Sequence, residues 1–155
     1  MCSVSSIFHT GITVTNLEKS IQFYTEGLGL ELRHRQTQDN AYTRSLVGYP
    51  NALLHIAQLR FPGERQPPSG HHIELVEYER PKGETGAVPH NHAGTMHLAF
   101  AVDGIHQIAE RLVQLGGRLI SEPVPITAGI NNGGYALYLH DPDGVVLELL
   151  QQPVK

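Results

Sequence analysis

Residues 140–151 read His140-Asp141-Pro142-Asp143-Gly144-Val145-Val146-Leu147-Glu148-Leu149-Leu150-Gln151. Asp-Pro-Asp-Gly is a strong turn signal, and the apolar run behind it reads as a strand with one carboxylate in its middle. That strand occurs twice. Gly70-His71-His72-Ile73-Glu74-Leu75-Val76-Glu77 lines up with Gly144 to Gln151, glutamate standing fifth in both. Further back, Phe8-His9-Thr10-Gly11-Ile12-Thr13-Val14 lines up with Met96-His97-Leu98-Ala99-Phe100-Ala101-Val102, histidine standing second in both. Each half therefore offers one histidine near its start and one glutamate near its end. The spacing keeps register: His9 to Gly29 is 29 − 9 = 20 positions, and His97 to Gly117 is 117 − 97 = 20.

Reading outward from these strands gives the elements. Residues 7–14 are β-branched and short, and predict a strand. Thr15-Asn16-Leu17-Glu18 predicts a capping box with Thr15 as N-cap, and Leu17, Ile21, Tyr24 and Leu28 follow at helical spacing. Strands are expected over 30–36, 52–60 and 71–79, a loop over 62–70, and either a strand or a short helix ending at Gly48 over 40–50. The stretch 80–94, with three glycines and two prolines, is the expected linker. The pattern then restarts: a strand over 95–102, a helical stripe of Ile105, Ile108, Leu112 and Leu115, a short strand over 118–121, a loop over 123–129, and a hairpin of 135–140 with 144–151. The fold class is α+β, two tandem βαβββ modules over 1–79 and 95–155.

Bulk properties narrow the function classes. With 155 residues the chain can bury a core, and a formal net charge of −4 gives no basic face for nucleic acid. Cys2 is the only cysteine, so no internal disulfide forms. No apolar run is long enough to cross a bilayer and no signal peptide is evident. A cytoplasmic protein without nucleic-acid or membrane partners is the expectation. Ten histidines raise the prospect of metal chemistry.

Strand side chains alternate faces. His9 shares its face with Gly11 and Thr13, and His97 with Ala99 and Ala101, so both imidazoles project from the side with small neighbours. Ile12 and Val14, and Phe100 and Val102, point the other way to pack under helices. Glu74 and Glu148 are flanked by Ile73 and Leu75 and by Leu147 and Leu149, which also point away. A buried unpaired carboxylate is costly, and a cation removes the cost. His9, Glu74, His97 and Glu148 are therefore the candidate ligands of one divalent metal ion: zinc, nickel, manganese, cobalt or ferrous iron. The competing reading is a solvated sheet face with four hydrogen-bonded side chains. His72 shares the face of Glu74 and is an alternative ligand or pocket residue, while alternation puts His71 and Glu77 on the other face. His90 and His92 are expected to be solvated, and His55 and His140 to be pocket or surface residues. Arg35, Arg44, Tyr78, Asn131, Asn132 and Tyr135 are candidate substrate contacts or plain surface.

These features resemble the vicinal oxygen chelate superfamily, which includes glyoxalase I, methylmalonyl-CoA epimerase, extradiol dioxygenases, fosfomycin-resistance transferases and bleomycin-resistance proteins. The most specific points are His9 to Val14 followed by Leu17, Phe23-Tyr24 and Gly27-Leu28-Gly29-Leu30, and Asp141-Pro142-Asp143-Gly144 with Leu147-Glu148-Leu149. The resemblance implies a curved mixed sheet around a metal-binding cleft with helices outside, and the ligand set His9, Glu74, His97 and Glu148. It also implies a homodimer and a small-molecule substrate. A carboxylate at position 74 resembles glyoxalase I and the epimerases rather than the dioxygenases. The expected function is a metal-dependent isomerase, epimerase or lyase. It would act on a carbonyl-containing substrate by proton transfer through Glu148 or Glu74, with the metal stabilising an enolate or enediolate. The alternatives are a ferrous extradiol-type dioxygenase and a non-catalytic binding or drug-resistance protein. One departure stands out: His9 to Glu74 is 74 − 9 = 65 positions, against 148 − 97 = 51 from His97 to Glu148, the excess falling in 36–70.

Overall fold

The computed structural model describes residues 2–63, 65–86 and 88–153. Glu64, in the expected loop 62–70, Ala87, in the expected linker, and Met1, Val154 and Lys155 lie outside the described residues. The chain is α+β with two mixed sheets, and its contacts divide it into two compact units, Met1–Glu84 and Thr85–Lys155.

The first unit runs β1 (Thr10–Val14), α1 (Leu17–Gln22) with a π-helical turn over Phe23–Gly27, β2 (Glu31–Gln38), α2 (Ala41–Val47), β3 (Leu53–Arg60) and β4 (Ile73–Arg80). Its sheet has the order β1-β4-β3-β2, with β1 parallel to β4 and the other pairs antiparallel. The ambiguous stretch 40–50 is a helix. The Asn40 side chain accepts from the Thr43 N–H at 2.9 Å to start α2, and Gly48 ends it at φ 76°. The N-cap of α1 is Asn16 rather than Thr15: its side-chain oxygen accepts from the Lys19 N–H at 3.0 Å. Asparagine is the better cap of the two, and Glu18 is drawn instead into a two-pronged pair with Arg35 at 2.7 Å.

The second unit runs β5 (His97–Ala101), α3 (Ile105–Gln114), β6 (Arg118–Leu119), β7 (Val124–Pro125), β8 (Tyr135–His140) and β9 (Val146–Gln151). Its sheet has the order β5-β9-β8-β6, β5 is parallel to β9, and β7 adds to β8. The expected 123–129 loop thus contains a short paired segment, Val124 opposite Ala136.

Each unit buries one face of its sheet under its helix. Ile12, Val14, Leu75 and Leu59 are buried with Phe23 and Tyr24 from the α1 side. Phe100, Leu147, Leu149, Leu137 and Leu139 are buried with Ile105 and Leu112 of α3. Each such side chain contributes about 1.5–3 kcal/mol on burial. The opposite face is left open, which is why Gly11, Thr13, Ala99 and Ala101 are exposed.

The two units match residue for residue where it matters. Gly11 stands opposite Glu74 in the β1–β4 ladder, and Ala99 opposite Glu148 in the β5–β9 ladder. These partners lie two residues past His9 and His97. The last residue of each repeated eight-residue segment also performs one task. The Glu77 carboxylate accepts from the Leu17 N–H at 2.7 Å, and the Gln151 side chain accepts from Gly104 and Ile105 at 3.0 and 2.8 Å. Both satisfy orphan donors at the start of the helix that covers their sheet, so the outward turn of residues 77 and 151 fixes the helix while residues 74 and 148 face the open side.

Candidate metal centre

In the first unit the strands begin later than the sequence indicates: β1 at Thr10, β4 at Ile73. His9, His71 and His72 therefore precede the strands, where alternation does not govern direction. His9 still faces Glu74, with Nε2 3.7 Å from Glu74 Oε1. Gln58 on β3, directly opposite Glu74 in register, donates its amide to Oε2 at 3.3 Å.

His71 is the residue whose expected direction is reversed. It lies against Glu74, Nε2 to Oε2 3.5 Å, and its ring stacks on that of His9 with centroids 4.9 Å apart. The cause is the turn before it. Gly70 has φ 71°, a left-handed conformation that favours glycine over any residue with a Cβ. The bend swings His71 inward before β4 starts. Ser69 pins it: its hydroxyl lies 3.0 Å from both the Phe8 and the His71 carbonyls, and its own carbonyl lies 3.3 Å from His71 Nδ1. Burial pushes the His71 imidazole below its ordinary pKa, and the Ser69 carbonyl opposes that shift. His72, the alternative ligand, instead packs edge-on against Phe61 at 4.9 Å and is not in the cluster.

In the second unit His97 opens β5, and its Nε2 lies 3.2 Å from Glu148 Oε2. Tyr138 occupies the place that Gln58 holds in the first unit, opposite the glutamate on the neighbouring strand. Its phenol oxygen is 3.3 Å from His97 Nε2, and the Glu148 carboxylate acts on it electrostatically. Burial first, and then the Glu148 charge, raise the Tyr138 pKa, so the phenol keeps its proton. Neither Gln58 nor Tyr138 stands out in the sequence. Their signal is positional, each lying across the ladder from a repeated glutamate, and it needs the register to be seen.

The other sequence candidates have partners of their own. Arg35 pairs with Glu18 and Arg44 with Asp39. His55 lies between Thr37 at 3.1 Å and Glu79 at 2.7 Å, and His140 Nδ1 meets the Gly144 carbonyl at 3.0 Å. Tyr78 packs on Tyr49 and Tyr135 on His106. His90 and His92 are exposed, as are Asn132 and, in part, Asn131.

Imidazole nitrogen with carboxylate oxygen is a donor set for first-row divalent metals. A cation also accounts for a feature that protein hydrogen bonds leave open. The His71 Nε2 atom is buried and has no hydrogen-bond partner among the described residues. His9, His71 and Glu74 present ligand atoms within 4.8 Å of one another. The residues fit a divalent ion.

The Glyoxalase/Bleomycin resistance protein/Dioxygenase superfamily matches residues 6–149. The chain is 33% identical over 152 residues to a 2-epi-5-epi-valiolone epimerase of Actinomyces sp, spanning 96% of this chain and 80% of that one. It is 32% identical over 148 residues to a probable lactoylglutathione lyase of Vibrio parahaemolyticus, spanning 94% and 89%. Among solved structures, a glyoxalase family protein from Bacillus cereus superposes with TM-score 0.80 at 22% identity, covering 99% of this chain and 97% of that one, a likeness of fold. The duplicated βαβββ units, and a family match that runs from before His9 to past Glu148, make this chain a member of the glyoxalase/bleomycin resistance protein/dioxygenase superfamily.

Proposed function

We propose that the protein is a divalent-metal-dependent enzyme that moves a proton beside a carbonyl of a small oxygenated substrate, as an epimerase, isomerase or lyase. His9, Glu74, His97 and Glu148 are the ligands in this reading. The observation that carries it is the duplicated register: in each unit a histidine and a glutamate face one another, the glutamate paired across the ladder with the second residue after the histidine. Relatives named as an epimerase and as lyases support proton-transfer chemistry. A bound cation would act as Lewis acid, drawing electron density from the carbonyl and making the neighbouring C–H more acidic.

The chain's own residues supply the rest. Glu148 is the general base. Tyr138, opposite it in the ladder, keeps its phenol protonated beside the carboxylate and the His97 ring, and would hold that proton close to the reacting atoms. Glu74 is held by the Gln58 amide and flanked by two imidazoles, a setting that keeps it in place as a ligand rather than a mobile base. Return of the proton to the opposite face would give an epimer, and to the adjacent atom an isomer.

Metal removal and isotope exchange test this. Chelator-stripped protein, assayed on 2-epi-5-epi-valiolone, on lactoylglutathione and on simple 2-hydroxy ketones in deuterated water, should be inactive. Restored with a divalent ion, it should place solvent deuterium at the carbon beside the carbonyl of the substrate it accepts. Full activity without metal, or turnover with oxygen uptake and no exchange, would overturn it.

A further inference from the structure

We infer that His71 is a further metal ligand, so that His9, His71 and Glu74 form by themselves a three-donor cation site within the first unit. The inference rests on the reading that His9 and Glu74 are ligands, and goes beyond it by assigning a residue outside the repeat. His71 has no counterpart in the second unit, where the aligned residue is Val145.

Three observations carry it. First, His71 is 2% exposed, yet its Nε2 has no hydrogen-bond partner among the described residues. A buried polar atom left so is rare in a folded protein. Second, the tautomer is set by the Ser69 carbonyl, an acceptor, 3.3 Å from Nδ1. The proton of the neutral ring must then sit on Nδ1, and Nε2 carries a bare lone pair. Nε2 lies 3.5 Å from Glu74 Oε2. A lone pair facing a carboxylate is repulsive, and a cation between them converts the repulsion into two bonds. An imidazole that donates Nδ1–H to a backbone carbonyl and offers Nε2 is the usual arrangement of a metal-bound histidine. Third, the distances fit. Two donors about 2.1 Å from one zinc-like ion in a tetrahedral arrangement lie roughly 3.4 Å apart. His71 Nε2 to Glu74 Oε2 is 3.5 Å, and one ligand atom from each of His9, His71 and Glu74 lies within 4.8 Å of the other two. The two imidazoles are stacked, and each lies near one oxygen of the carboxylate. Two histidines and one carboxylate on one side of an ion leave its other positions open.

The consequence is that the first unit binds a divalent metal without His97 and Glu148. The test uses the full-length chain carrying His97→Ala and Glu148→Ala, stripped of metal and titrated with cobalt(II) by optical absorption and calorimetry. It should bind one equivalent. Adding His71→Gln should weaken that binding by about 100-fold or more, since even outer-sphere partners of a ligand are worth 10–100-fold. A second measurement leaves His71 untouched: pulsed electron paramagnetic resonance of copper(II) in the doubly substituted chain should show two coordinated imidazoles. One imidazole, or unchanged affinity in His71→Gln, overturns the inference and leaves His9 and Glu74 as ligands. Loss of all binding in the doubly substituted chain, while the unsubstituted chain binds, also overturns it and leaves the four-ligand reading standing. Failure of the unsubstituted chain to bind defeats both.

Discussion

Replacing Asp141 by alanine should destabilise the second unit by about 3 kcal/mol, from two lost charge-assisted hydrogen bonds at roughly 1.5 kcal/mol each. Asp141 is completely buried, and its Oδ1 accepts from the N–H groups of Asp143 and Val145 at 3.0 and 2.8 Å. These bonds hold the turn between β8 and β9, with Gly144 at φ 94°. The lower end of the range applies because Asp143 and Val145 are half-buried, and water can reach part of what the carboxylate leaves. At roughly 2–4 °C per kcal/mol for a chain of this size, the midpoint should fall by about 6–12 °C. Asp141→Asn keeps an acceptor at the same place and removes the charge, so it should lose roughly half as much. Urea and thermal unfolding of the three proteins measure this. A midpoint for Asp141→Ala within experimental error of the unsubstituted chain would refute the reasoning that a single carboxylate closes this hairpin. Because the same hairpin sets Tyr138 opposite Glu148, the variant should also bind cobalt(II) more weakly.

Glu148→Gln should lower substrate exchange by about 10²–10⁴-fold, the usual contribution of a positioned general base. Isotope exchange at matched metal content checks it, and near-normal exchange would remove Glu148 from that role. The metal-free chain should lose stability as pH falls below 6.5, the ordinary histidine value, because folding holds His71 below it. The unfolded chain then binds the extra proton first, so the full contribution is present above 6.5 and declines toward the lower folded value. Urea unfolding on either side of 6.5 should show a smaller drop for His71→Gln than for the unsubstituted chain, and equal drops would contradict the assignment.

The repeat made the βαβββ order of both units readable, because a duplicated pattern carries its own register. Ile12, Val14, Leu75, Phe100 and Leu149 are buried on the face that alternation assigns them. Alternation failed where strands had not yet begun. At His71 and His72 the backbone is still leaving a glycine bend, so His71 turns to Glu74 against its expected direction while His72 packs on Phe61. Local propensity erred by one residue at the Asn16 cap, where two adjacent polar residues competed for one role. Gln58 and Tyr138 escaped notice because a cross-strand neighbour is defined by pairing, and pairing is not written in any single segment.

The extra length of the first half lies outside its β1–β4 ladder. It is taken up by α2 and by the crossing from β3 to β4, while Gly11 remains level with Glu74 just as Ala99 does with Glu148. The α2 insertion leaves those backbone rungs in step, whereas the crossing delivers His71 to Glu74 and so belongs to the first unit's cluster. Exchanging segment 39–52 is therefore the change that spares every donor and its scaffold.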